Sequence, residues 1–217
     1  MRLVFPLCKK GGKELDHDIF QIKMGKIVII EYGAGNLFSV KVAVERLGYE
    51  VICSADPNVV REAGKVIFPG VGQAAMAMRQ LKESGIDRVI PELKVPVLGI
   101  CLGMQLMCTY SEEGETEGLG IFPMRVREFG TCGKVPHMGW NGIRALKSGL
   151  FDGVSPGEMV YFVHSYYVPE NEYSIATCDY QIAFSAAIRK GNFWGCQFHP
   201  EKSAGVGERI IENFLKM

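Results

Sequence analysis

The sequence predicts an α/β protein: a single domain with a central, mostly parallel sheet flanked by helices. Three observations carry that reading. Short β-branched runs alternate with segments of helical spacing from Lys26 to about Tyr110, the pattern of strands joined by crossover helices. The apolar run Val95-Pro-Val-Leu-Gly-Ile passes through Cys101 directly into Leu102-Gly-Met-Gln-Leu-Met, so a buried strand turns sharply into a helix. The 217 residues, 47% hydrophobic and 22% charged, suffice for one core of ordinary globular composition.

Strands are expected at 26–31, 50–53, 65–68 and 95–100. Between the first two, Leu37, Val40, Val44 and Leu47 keep helical spacing, with Asn36 as N-cap and Gly48 as terminator. A second helix is expected over about Ala74 to Ser84, stopped by Gly85. After Ser111 the texture changes to short segments with frequent Gly and Pro, read as strands and loops up to His199. A last helix is expected from about Val206 to Lys216.

Residues 1–23 contain an apolar portion of only about six residues, short for the roughly 7–15 of a signal peptide. They read as an extension upstream of a start at Met24, with the folded domain at 24–217; a genuine N-terminal arm is the alternative. Lysine plus arginine equals aspartate plus glutamate at 24 each, which points away from nucleic-acid and membrane-surface partners. No apolar stretch approaches the roughly 20 residues of a membrane span. Seven cysteines at irregular spacing and four scattered histidines argue against a disulfide framework or a zinc site. A reactive thiol favours a reducing compartment, so the cytoplasm is the expected location.

The chemistry concentrates in two motifs. Gly99-Ile-Cys101-Leu-Gly103 is a G-x-C-x-G form of the nucleophile elbow, which presents its central side chain from a strained turn at a helix N-terminus. Phe198-His199-Pro200-Glu201-Lys202 supplies an imidazole and a carboxylate two residues apart. Pro200 biases His199 towards extended geometry, so both side chains are expected on one face of a strand end. A carboxylate beside an imidazole fixes its tautomer and stabilises its cation, the third role in a nucleophile, base and orienter set. Gly33-Ala-Gly35 with Asp56 about twenty residues on also invites a dinucleotide-binding reading, but Phe38 stands where the fingerprint needs its third glycine.

At the elbow and the His-Pro-Glu segment the sequence resembles the triad-type, class I glutamine amidotransferases, in which such a Cys-His-Glu set releases ammonia from glutamine. The resemblance implies that Cys101, His199 and Glu201 are catalytic and that no metal or organic cofactor is required. It makes Phe68-Pro-Gly-Val-Gly72 the oxyanion loop, with the amides of Val71 and Leu102 as donors. Gly72, Gln105 one helical turn beyond the cysteine, Ser165 and Tyr166 become the residues that hold L-glutamine.

Gly33-Ala-Gly-Asn36, Pro136-His-Met-Gly-Trp140-Asn141 and His-Pro-Glu-Lys202-Ser203 refine this to a resemblance to the glutaminase subunits of imidazole glycerol phosphate synthases, covering about residues 26–217. That subfamily implies a (β/α)8-barrel cyclase as heterodimer partner, which receives ammonia in histidine biosynthesis. Asn36, Trp140 and Lys202 would face it. A glutaminase serving a different synthase and a catalytically silent regulatory subunit are the alternatives.

Overall fold

A computed structural model of the chain describes residues 25–33, 36–130 and 133–217; the expectations for residues 1–23 and for Ala34-Gly35 lie outside the described residues. Seven strands form the main sheet. Five are parallel: β1 (Ile27–Ile30), β2 (Val51–Ser54), β3 (Lys65–Gly70), β4 (Val97–Cys101) and β13 (Phe193–Cys196), numbered in chain order with the intervening strands given below. β11 (Ser174–Tyr180) and β12 (Ile182–Lys190) extend it antiparallel, giving the order β11-β12-β13-β4-β3-β1-β2.

Both faces of this sheet are covered, which is why its strands read as continuous apolar runs. Successive residues of β1 feed opposite cores. Ile27 and Ile29 pack with Val40 and Val44 of α1 (Leu37–Arg46) and with Ile210, Ile211 and Phe214 of α6 (Ala204–Leu215). Val28 and Ile30 share the other core with Val60 of α2 (Pro57–Arg61), Ala77 and Leu81 of α3 (Ala74–Ser84), Val89 of α4 (Ile86–Val89) and Met104 of α5 (Leu102–Leu106).

The four expected parallel strands are present with ends shifted by up to two residues, and α1, α3 and α6 occupy the expected segments. Asn36 caps α1, its side-chain oxygen accepting from the Ser39 amide at 3.3 Å, and Gly85 ends α3 at φ 75°. The short helices α2 and α4 had no periodicity long enough to announce them. Asp56, the residue of the dinucleotide reading, caps α2 by accepting from the Asn58 amide at 2.8 Å.

The region after Ser111 forms two further sheets. One has the order β10-β7-β5-β6, from β5 (Cys108–Ser111), β6 (Thr116–Glu117), β7 (Phe122–Glu128) and β10 (Tyr166–Tyr167). The other pairs β8 (His137–Gly142) antiparallel with β9 (Met159–His164). The carboxyl ends of β3, β4 and β13 lie side by side and meet the end of β9, at the position where open α/β sheets place ligands.

Candidate active site

Cys101 is the last residue of β4 and the N-cap of α5, with φ 53° and ψ −109°. A positive φ at a residue with a Cβ costs on the order of 1–3 kcal/mol and persists only when the surroundings impose it. Two glycines make room for it. A Cβ on Gly103 would run into the Phe68 carbonyl oxygen of β3, and one on Gly99 would come within 2.8 Å of the Met104 amide nitrogen. Side-chain-free positions before and after the cysteine therefore allow the helix to start hard against the sheet.

His199 reaches the same place from the other end of the chain. It follows β13, the parallel neighbour of β4, and its amide donates to the Tyr161 carbonyl of β9 at 2.9 Å. The sequence expectation of a strand end needs correction here. Residues Pro200–Lys202 form a 3-10 turn capped by His199, because proline at the first helical position is preorganised for a turn. His199 itself is extended at φ −99°, ψ 95°, as the following proline requires. The turn, rather than strand alternation, folds Glu201 back so that its Oε1 lies 2.8 Å from His199 Nδ1, with both side chains buried.

Because Glu201 accepts from Nδ1, the other ring nitrogen is left for chemistry. His199 Nε2 is buried with no hydrogen-bond partner among the described residues. Burial disfavours the imidazolium, but the Cys101 sulfur and the Glu201 carboxylate outweigh it and push the His199 pKa up to about 10. The arrangement can accept a thiol proton and keep it.

In front of the cysteine is a cavity of about 300 Å³, at the small end for ligand sites and suited to an amino acid. Its walls include Val71, Gly72, Cys101, Leu102, Gln105, Ser165, Tyr166 and His199, all singled out from the sequence. Leu102 is the first residue of α5, and Val71 follows β3 with Gly72 at φ 97°. Glu201 lies behind His199 rather than on the wall. Asn36, Trp140 and Lys202 are also off the wall: Asn36 caps α1, Lys202 is exposed, and Trp140 is half exposed on β8, edge-on to Tyr161 with ring centroids 6.1 Å apart.

Several groups escaped the sequence reading. Glu113 lines the cavity and accepts from the Ala74 amide at 2.9 Å; burial raises its pKa, opposed by that hydrogen bond. It sits in a run of acidic and small residues, Ser111-Glu-Glu-Gly-Glu-Thr-Glu117, in which nothing marks one carboxylate over the rest. His164 also lines the cavity, and its Nε2 lies 3.1 Å from His137 Nδ1. Fully buried Gln197 donates from Nε2 to the Cys101 sulfur at 3.6 Å. A glutamine inside the apolar stretch Phe193-Trp-Gly-Cys-Gln-Phe198 was the available signal, since a polar side chain in such a run must find a buried partner. Gln105 spends its amide nitrogen inside the protein, on the Tyr166 carbonyl at 2.9 Å and Gln197 Oε1 at 3.0 Å. Only its carbonyl oxygen remains for a ligand.

Comparison with known proteins agrees in family and in fold. The family model for class-I glutamine amidotransferases matches residues 28–217. A Bacteroides fragilis protein named imidazole glycerol phosphate synthase subunit HisH is 57% identical, covering 88% of this chain and 100% of its own. The HisH subunit of Colwellia psychrerythraea is 46% identical over 88% of this chain and 93% of its own. Among solved structures, PurLQS from Thermotoga maritima is similar in fold at a TM-score of 0.67 and 16% identity, covering 89% of this chain and 98% of that one. No helix among the described residues is long and apolar enough to cross a membrane.

Proposed function

The chain belongs to the class-I glutamine amidotransferases, and from that premise we propose that it is the glutaminase subunit of an imidazole glycerol phosphate synthase, hydrolysing L-glutamine and passing ammonia to a cyclase partner in histidine biosynthesis. The observation that carries the reading is the convergence of Cys101 and the buried His199–Glu201 pair on one amino-acid-sized cavity. The 57% identity to a HisH subunit supports the choice of synthase.

In this mechanism His199 Nε2 takes the Cys101 thiol proton, and the thiolate attacks the carboxamide carbon of glutamine. The amides of Val71 and Leu102 receive the oxyanion; one such donor is worth about 3–4 kcal/mol in acyl transfer. On collapse the C–N bond breaks, and His199 gives its proton to the departing nitrogen, releasing ammonia. Water then loses a proton to His199 as it attacks the thioester. The C–S bond breaks, the proton returns to sulfur, and glutamate leaves. Glu201 holds Nδ1 protonated and stabilises the imidazolium throughout. Gln105 through its carbonyl oxygen, Glu113, and the backbone of Gly72, Ser165 and Tyr166 hold the amino-acid end of the substrate.

A barrel-shaped cyclase docks against Asn36, Trp140 and Lys202. Trp140 and Met138 lie on the same face of β8, 50% and 61% exposed, an apolar pair of the kind that anchors an interface. The test is glutamate release with and without a barrel cyclase subunit and its acceptor nucleotide. Low activity alone and stimulation by the liganded partner are expected, with Trp140→Ala blunting the stimulation. Full activity in isolation, or no association with a barrel protein, would reject this synthase while leaving the triad chemistry standing.

A further inference from the structure

Buried between the nucleophile and the hairpin β8–β9 is a chain of side-chain hydrogen bonds whose every donor and acceptor can be assigned. The Tyr166 carbonyl can only accept. It takes bonds from His164 Nδ1 at 2.7 Å and Gln105 Nε2 at 2.9 Å, so both atoms are donors. His164 is neutral, because burial holds its pKa down to about 3, and its Nε2 is therefore an acceptor for the proton on His137 Nδ1. His137, with its pKa lowered by burial to about 4, in turn leaves Nε2 to face the Asn141 amide at 3.4 Å. On the other side, Gln105 must present its nitrogen to Gln197, which fixes Gln197 Oε1 as the acceptor at 3.0 Å. The Gln197 amide nitrogen is then the group that faces sulfur, 3.6 Å from Cys101 Sγ. An amide that flips freely offers donor or acceptor alike; this one has no choice.

We propose that Gln197 is a dedicated donor to the reacting sulfur, stabilising the Cys101 thiolate directly and independently of His199, its orientation dictated by the Gln105 and Tyr166 links of the chain. The inference rests on Cys101 being the nucleophile. A hydrogen bond to an ionised acceptor is roughly twice as strong as a neutral one, so the contact favours thiolate over thiol. Among the described residues no group lies within hydrogen-bond geometry of His199 Nε2, which the sulfur influences by its charge, and the sulfur's other hydrogen-bond contact is to the Val163 carbonyl at 3.8 Å, which only an S–H can use. Gln197 thus offers the sulfur a donor and Val163 an acceptor, while His199 moves the proton.

The direct measurement is the alkylation rate of Cys101 by iodoacetamide in the full-length chain, followed by mass spectrometry of its peptide. It reads the sulfur whether or not glutamine is hydrolysed. Gln197→Met removes the donor at similar volume, and Gln197→Leu removes it with a branched apolar side chain. At pH 7 both variants should be alkylated at least five-fold more slowly than the parent, and the rates should converge above pH 10, where thiols ionise unaided. Glutamine turnover should fall at least ten-fold in kcat with KM within three-fold. The slowing should persist when the same change is made in His199→Gln. Unchanged alkylation at pH 7 in folded variants would overturn the proposal. So would slowing that persists equally at pH 10, which indicates blocked access, or slowing that vanishes in the His199→Gln background. Should both variants fail to fold, Gln105→Leu frees the Gln197 amide to turn and must slow the same reaction; no change there overturns the proposal equally.

Discussion

The two halves of the molecule hold their functional residues in opposite ways. From Ile27 to Leu106 the chain alternates strand and helix, each pair packed on its sequence neighbour, and it mounts Cys101 by backbone geometry: a positive φ between two glycines that nothing larger can replace. From Cys108 to Lys190 the strands divide among three sheets, pairing in hairpins such as β11–β12 and across longer separations such as β8–β9 and β7–β10, and this half supports the site by side chains, through the neutral histidines of β8 and β9 and the aromatic rings around them. The base lies beyond both halves in the chain, on the turn following β13. A rigid backbone mount fixes where the nucleophile points, whereas a side-chain network can also set the proton order around it.

The sharpest separation of position from chemistry is at the nucleophile. Cys101→Ala should abolish glutamate release, with residual activity below about one part in 10⁴, while the melting temperature stays within about 3 °C, since the elbow tolerates a small side chain. Ammonia-driven synthesis by the complex should survive. Near-normal hydrolysis in the variant would remove Cys101 from the mechanism.

If the first half works as a backbone mount, one methyl group should break it. In Gly103→Ala the new Cβ meets the Phe68 carbonyl, a backbone atom of the central sheet that cannot swing aside. The expected cost is about 3 kcal/mol or more in urea-unfolding stability, with loss of most activity. A stable, active Gly103→Ala chain would show that the elbow has slack, and the contrast between the halves would fail.

These halves also differ in how much the sequence revealed. Strands covered on both faces, such as β1 and β4, write uninterrupted apolar runs, and crossover helices write 3.6-residue spacing, so the parallel half was readable to within a residue or two. Strands such as β7, half exposed and paired with β5 and the two-residue β10, carry no comparable signature; their partners are set by tertiary packing. At the site, Cys101 and the His-Pro-Glu segment stood out because their spacing has a chemical reason. His137, His164 and Gln197 did not, because a buried hydrogen-bond chain has no fixed sequence spacing.

Glu201 belongs to neither half's scaffold and acts through His199. Glu201→Gln keeps the shape of the pair while removing its charge. It should retain at least about ten-fold more kcat than His199→Ala, since an orienting group assists a two-residue unit. A larger loss than that of the histidine would mean that Glu201 does more than hold Nδ1.

The last test is of stability against pH, and it asks whether the second half depends on neutral histidines. His137 and His164 have folded pKa values pulled by burial to about 4 and about 3, below the ordinary 6.5. As pH falls below 6.5 the unfolded chain binds protons on these two rings that the folded chain refuses, so folding stability drops. The loss is on the order of 1–2 kcal/mol for each ring between pH 6.5 and 5. His199 runs the other way. Its folded pKa is raised to about 10, so the stability it contributes is complete below 6.5 and is lost as pH rises towards 10. Urea midpoints should therefore decline on both sides of about pH 6.5. In His199→Gln the decline between about pH 6.5 and 8.5 should flatten, the buried thiols Cys108 and Cys178 acting only above that range, while the acid decline remains, because the protons responsible for it belong to β8 and β9. An acid arm that disappears together with His199 would assign the effect to the catalytic pair and leave the neutral pair as ordinary core.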